Sequence, residues 1–203
     1  MGQPSISILL HELAKLLMYA GAHDFTFIRI GTSGGIGVPP GTVVISTEAL
    51  DGQLRAQHDL PILGTVVSRP THFDLALCQQ VLALAGSTAT ILGKTMVADD
   101  FYEGQGRLDG ACCEYSDADK MAFLQRAHAA GVRNIEMEGC VFAAFCNKVK
   151  IPALDICCTL VDRLNGDQIE STPEQLAGFT ENAIAVALNF VAHVCSTTKQ
   201  QTK

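Results

Sequence analysis

Tryptophan is absent from this 203-residue chain, tyrosine occurs three times, and charged residues make up only 17%. So little charge excludes a self-repelling, disordered chain, because 48% of the residues are hydrophobic and can fill a sizeable core. Positive charge is the scarcer sign: 14 Lys and Arg against 21 Asp and Glu give a net charge of −7, with no long run of either sign. The basic footprint needed for DNA or RNA is therefore missing, and no nucleic-acid partner is expected. A small anion such as phosphate can still be held, but only by a few local donors. No apolar stretch reaches membrane-spanning length, and the N-terminus lacks the charged start and cleavage site of a secretory signal. These absences predict one domain over residues 1–195, a polar frayed tail from Ser196 to Lys203, no membrane partner and a cytoplasmic location.

Paired metal-ligand spacing is also lacking. The eight cysteines form no C-x-x-C pair, and the six histidines are scattered. No metal site is expected. Several cysteines sit in apolar runs, as in Asp155-Ile-Cys-Cys-Thr159, and read as buried, reduced thiols acting as small hydrophobes.

What is present alternates between helix and strand. Leu9, Leu13, Leu16 and Leu17 recur at helical spacing before Gly21. Strands are predicted over 25–30, 42–47, 63–68, 88–97, 133–136 and 152–161, and further helices over 73–85, 118–130, 139–148 and 174–194. Several strands are apolar throughout, which indicates an α/β domain with a mixed, mostly buried central sheet flanked by helices. A helix ahead of the first strand leaves open what covers that strand's edge.

Four segments carry candidate chemistry. Arg29-Ile-Gly-Thr-Ser-Gly-Gly35 follows a strand, but Val38-Pro39-Pro40 and another strand come next, so it is not a dinucleotide fingerprint. Gly93-Lys94-Thr95 is not a P-loop either, because Thr88 occupies the position of the upstream glycine. The first segment reads either as a tight turn or as a loop aiming N–H groups at an anion, with Arg29 and Thr32 adding charge and a donor. Asp99-Asp-Phe-Tyr-Glu-Gly-Gln-Gly-Arg-Leu-Asp109 offers an amide, Gln105, and a guanidinium, Arg107. Together they can read the edge of a planar ring on which Phe101 or Tyr102 stacks, or Arg107 can be a salt-bridged surface residue. Glu136 and Glu138 are two apart at a strand end. They either face one side and chelate vicinal hydroxyls, or are acids at a helix N-terminus. Asp162 and Arg163 end an apolar strand, where sites form in α/β sheets, or make a surface ion pair.

These segments resemble the uridine phosphorylase family of nucleoside phosphorylases. The resemblance rests on Gly2-Gln-Pro-Ser-Ile-Ser7, Arg29 to Gly35, Asp100-Phe-Tyr-Glu-Gly-Gln-Gly-Arg-Leu-Asp109, Gly131-Val-Arg-Asn-Ile-Glu-Met-Glu138 and Arg163-Leu-Asn-Gly-Asp-Gln-Ile169. It implies a three-layer α/β/α fold and phosphorolysis of uridine to uracil and ribose 1-phosphate, with inorganic phosphate as co-substrate and no cofactor. By the same resemblance Arg29 and Thr32 hold phosphate, Thr32 also lying near the ribose, and Gly34 belongs to the substrate-binding set. Gln105 and Arg107 bind uracil and stabilise its developing charge, Phe101 packs on sugar or base, and Leu160 and Val161 line the base pocket. Glu136, Met137 and Glu138 position the ribose, and Gln105, Arg107 and Glu138 form the catalytic set. The family's chains continue N-terminal to Met1 with further strands, a glycine phosphate loop and an arginine, and a homodimer partner completes each site. The expectation is thus an N-terminally truncated chain lacking those strands. Two alternatives stay open: an inactive short homologue that binds nucleoside or pairs with a full-length subunit, and a purine-acting relative, towards which a carboxylate at Asp162 leans.

Overall fold

The computed structural model describes residues 1–201, with side chains through residue 197. Its elements run α1 (Gln3–Tyr19), β1 (Phe27–Gly35), β2 (Val43–Leu50), β3 (Gln57–Ile62), β4 (Thr65–Pro70), α2 (Leu75–Ala83) and β5 (Thr90–Val97). A single 3-10 turn (Glu103–Gln105) follows, then α3 (Asp117–Ala129), β6 (Val132–Glu136), α4 (Gly139–Val149), β7 (Ala153–Asp162) and α5 (Pro173–Gln201).

Local chemistry sets the boundaries. Asp74 caps α2 by accepting from Leu77 N–H, and Ser116 with Asp119 forms a reciprocal capping box on α3. β7 is buried along Ala153–Thr159, and its alternation sorts chemistry by face. Leu154, Ile156 and Cys158 join the main apolar core, which packs against α1, α2, α4 and α5. Asp155 and Cys157 meet Arg29 instead. A second core forms where Leu124 and Ala127 of α3 pack against Met96, Val132 and Ile135.

The central sheet is mixed and flanked by helices, as expected, but it closes on itself in the order β1-β6-β5-β2-β7. β1 runs parallel to β7 along its length but meets antiparallel β6 only at Gly34 and Gly35, so among the described residues no strand pairs with its other edge over Phe27–Ser33. The β1–β7 register shifts between Ser33 and Gly34, and the two residues beyond the shift, Gly34 and Gly35, also pair with β6. The closed sheet is stitched across by polar side chains. Ser46 Oγ lies 2.6 Å from Thr95 Oγ1 and donates to Asp155, Thr95 donates to Asn134, and Asn134 donates to Ser33.

Two expectations are corrected. The strand placed over 63–68 is the second arm, β4, of a separate hairpin whose first arm, β3, was missed. The frayed tail from Ser196 is helical as far as Gln201, with Ser196 and Thr197 hydroxyls bonding back to carbonyls of the preceding turn; Thr202 and Lys203 lie outside the described residues. Cys78, Cys140, Cys146, Cys157 and Cys158 are buried thiols, whereas Cys112, Cys113 and Cys195 are exposed. Among the described residues no helix is long and apolar enough to cross a membrane, and no metal-ligand cluster forms.

Candidate active site

The segment from Arg29 to Gly35 is paired strand throughout, not a turn or an anion-cradling loop. Parallel register sets Arg29 beside Asp155, and Arg29 Nη1 donates to Asp155 Oδ1 at 2.6 Å. Its Nη2 pairs with Glu136 at 2.7 Å and Glu138 at 2.5 Å. Gly31 makes room for this fold-back, since a Cβ there would meet Arg29 Nη2 and Cys157 Sγ at 3.2 Å. Thr32 is exposed and its hydroxyl makes no protein hydrogen bond among the described residues, leaving it available to a ligand.

The two glutamates differ. β6 ends at Glu136 and the chain turns into α4, so the same-side geometry of an extended strand is lost at Glu138. Glu136 is 3% exposed. Its oxygens accept from the N–H groups of Glu138 and Gly139, both at 2.8 Å, and pair with Arg29. Burial pushes its carboxyl up to about 8 against the pull of the Arg29 charge and these N–H groups. For Glu138 burial works in the same direction, but the Gly2 N–H and Arg29 outweigh it and hold the group below the usual carboxylate range. A pair of carboxylates open to vicinal hydroxyls is therefore not formed. Glu136 is a strut between α4 and Arg29, and Glu138 is the less buried of the two.

At the opposite end the 3-10 turn buries Gln105 and the αL residue Gly106 sends the chain on to Arg107. Arg107 lies over the Phe101 ring, 4.7 Å from its centroid. Arg107 also makes two bonds to Asp109, at 2.9 and 2.7 Å, and the Arg107 bond holds the Asp109 carboxyl down at about 2. The surface ion pair foreseen as an alternative is thus real, yet Arg107 Nη1 keeps no protein hydrogen bond among the described residues. Arg163 is 1% exposed and donates from Nη2 to the Gln105 carbonyl at 2.9 Å, so it is not a surface ion pair. Asp162 is spent on its own turn. It accepts from Gly37 N–H at 2.9 Å, Leu164 N–H at 3.1 Å and Asn165 Nδ2 at 2.8 Å. No carboxylate from Asp162 is offered to a purine.

These ends belong to one cavity of about 550 Å³. Arg29, Thr32 and Gly34 from β1, and Glu136, Met137 and Glu138 from the β6–α4 junction, line one part. Phe101, Gln105 and Arg107, with Leu160 and Val161 of β7, line the other. All eleven residues that the resemblance assigned to ligand meet there. Arg163, offered by the sequence at a strand end, also lines it, as do Asp167, Gln168 and Ile169, which were missed as ligand-facing residues although they lay within a recognised motif. Tyr102 is not among the lining residues; it packs edge-on against Phe101, with centroids 5.2 Å apart.

Residues 1–196 match the model of the phosphorylase superfamily. The chain belongs to that superfamily. Among curated members of this phosphorylase family, it is 46% identical over 194 residues to the uridine and thymidine phosphorylase of Caenorhabditis elegans, covering 94% of this chain and 65% of the worm protein. It is 40% identical over 184 residues to the inactive uridine phosphorylase B of Schistosoma mansoni, covering 89% of this chain and 62% of that one. The crystal structure of the S. mansoni uridine phosphorylase in complex with 5-fluorouracil superposes with a TM-score of 0.93 at 40% identity, over 97% of this chain and 70% of that structure. The chain thus spans a little under two thirds of the length of these curated phosphorylases.

Proposed function

We propose that the chain carries the site of a uridine phosphorylase, a pentosyltransferase that reversibly splits uridine with inorganic phosphate in pyrimidine salvage. The observation that carries this reading is the convergence of an arginine with a free hydroxyl at one end of the cavity and an amide, a guanidinium and an aromatic ring at the other. Arg29, Thr32 and Gly34 are assigned to phosphate, Met137 and Glu138 to ribose, and Phe101, Gln105, Arg107, Leu160 and Val161 to uracil.

In the reaction a phosphate oxygen bonds to C1′ as the C1′–N1 bond breaks through an oxocarbenium-like state, and the bonding pair leaves with the base. Uracil oxygens gain charge only as that bond breaks, so fixed donors from Gln105 and Arg107 favour the transition state over the bound substrate. Loss of one such donor costs about 3 kcal/mol of barrier. Phosphate is itself the nucleophile, so the scheme needs no metal or organic cofactor, and dialysis against a chelator is expected to leave turnover unchanged. A pocket that admits the 5-methyl group and the 2′-deoxy sugar is supported by the worm relative, whose name includes thymidine. The working form is assigned to a cytoplasmic homodimer.

A second reading, a chain that binds nucleoside without turnover, is favoured by one observation: Arg29 is already shared among Asp155, Glu136 and Glu138. Release of uracil from uridine, measured with and without phosphate, separates the two. Phosphate-dependent release supports the phosphorylase. Binding of uracil with no release supports the second reading, and release independent of phosphate overturns both.

A further inference from the structure

Behind the uracil-reading end lies a buried ion triad that no catalytic assignment uses. Asp167 Oδ1 accepts from Lys120 Nζ and from Arg163 Nε, each at 2.8 Å. The three side chains are 5%, 9% and 1% exposed in the order Lys120, Asp167, Arg163. The second carboxylate oxygen accepts from Leu108 N–H at 3.3 Å, and the Asp167 carbonyl accepts from Arg107 Nη2 at 3.1 Å. Arg163 continues to Gln105, whose amide oxygen lies 3.4 Å from Nη1. One aspartate therefore ties α3 to both hydrogen-bonding residues assigned to the base, Gln105 and Arg107.

Geometry alone needs only Asp167 and Arg163, which would form a neutral pair with the same clasp. Lys120 does not line the cavity. What it adds is a second buried cation against one carboxylate. An unbalanced buried charge is costly, and is retained where something nearby uses it. Burial works to raise the Asp167 carboxyl, but the bond from Lys120 and the charge of Arg163 outweigh it, so Asp167 stays ionised and divided between two cations.

Resting on the pyrimidine reading above, we infer that Lys120 is a positioning residue that sets the charge of the base end. By neutralising Asp167 it leaves the Arg163 charge uncompensated beside Gln105, and the pocket thereby favours a pyrimidine carrying negative charge, the form in which the base departs. Lys120 acts through Asp167 and touches no ligand.

The test is a ratio. Affinities for uracil and for 5-fluorouracil, a more acidic pyrimidine, are measured by calorimetry at one mildly alkaline pH for the wild type, Lys120→Gln and Lys120→Arg. Each ratio is taken within one protein, so the fraction of folded material cancels. Lys120→Met, which keeps the packing of the stem, replaces the Gln variant if that variant does not fold. The wild type is expected to prefer 5-fluorouracil, the charge-removing variant to lose that preference by about fivefold, and Lys120→Arg to retain it. An unchanged ratio, or an equal loss for both bases, overturns the role of Lys120 and leaves the pyrimidine reading standing. A wild type that binds neither base overturns the pyrimidine reading, and this inference with it.

Discussion

At one end of the cavity three cations, Arg107, Lys120 and Arg163, share two carboxylates, Asp109 and Asp167. At the other a single cation, Arg29, is held by three, Asp155, Glu136 and Glu138. The first end keeps positive charge to spare and, among the described residues, an arginine nitrogen without a protein partner, which is what the proposed departure of a negatively charged base calls for. The second has its cation saturated by its own acids. An anion can enter there only by drawing Arg29 away from them or by bringing in a further cation. Under the proposed function, the comparison separates recognition of the base from recognition of the anion.

The largest expected effect lies at the base end. Arg107→Ala should lower uracil affinity, or turnover where turnover is seen, by about a hundredfold, and Arg107→Lys should not restore it because the planar fork is lost. The anion end should respond in the opposite sense. Asp155→Asn removes one of the acids competing for Arg29 and is expected to tighten sulfate or phosphate binding by about tenfold, read by calorimetry; a loss of affinity would show that Asp155 instead holds Arg29 in its working position.

The same end has a pH signature. Burial holds the Glu136 carboxyl well above its ordinary 4.5 in the folded chain, so in the window above 4.5 the folded chain holds a proton that the unfolded chain has released. Stability should therefore fall as pH rises through that window, and Glu136→Gln should flatten the melting temperature against pH. The smallest effect sharpens the base end. A Cβ at Gly34 would meet Arg163 Cγ at 3.0 Å, so Gly34→Ala should push on Arg163 and weaken uracil binding by about threefold, read by calorimetry.

How much of this was legible in the sequence follows from how local each signal was. Gln105 with Arg107, and Glu136 with Glu138, announced themselves because each pair sits in one short polar segment at a strand end. Helices with strong caps, such as α3 behind Ser116, were placed within a residue or two. β3 escaped because Gln57-His-Asp-Leu-Pro-Ile62 is polar and contains Pro61, which argues against an interior strand and is tolerated in a two-stranded hairpin. Closure of the sheet escaped because it depends on a register shift at Ser33 and Gly34 that no composition signals. Asp155 stood out only as one polar residue in an apolar run, and nothing in the sequence marked Lys120 on its helix. Their partners are 126 and 47 residues away, so only the fold brings them together.

The most direct test of the contrast between the two ends is a pair of calorimetric titrations of the 203-residue chain, one with uracil and one with phosphate. The account predicts that uracil binds, that phosphate binds at least about tenfold more weakly, and that Asp155→Asn narrows the gap from the phosphate side alone. Phosphate binding as tightly as uracil, with Asp155→Asn leaving both unchanged, would contradict it.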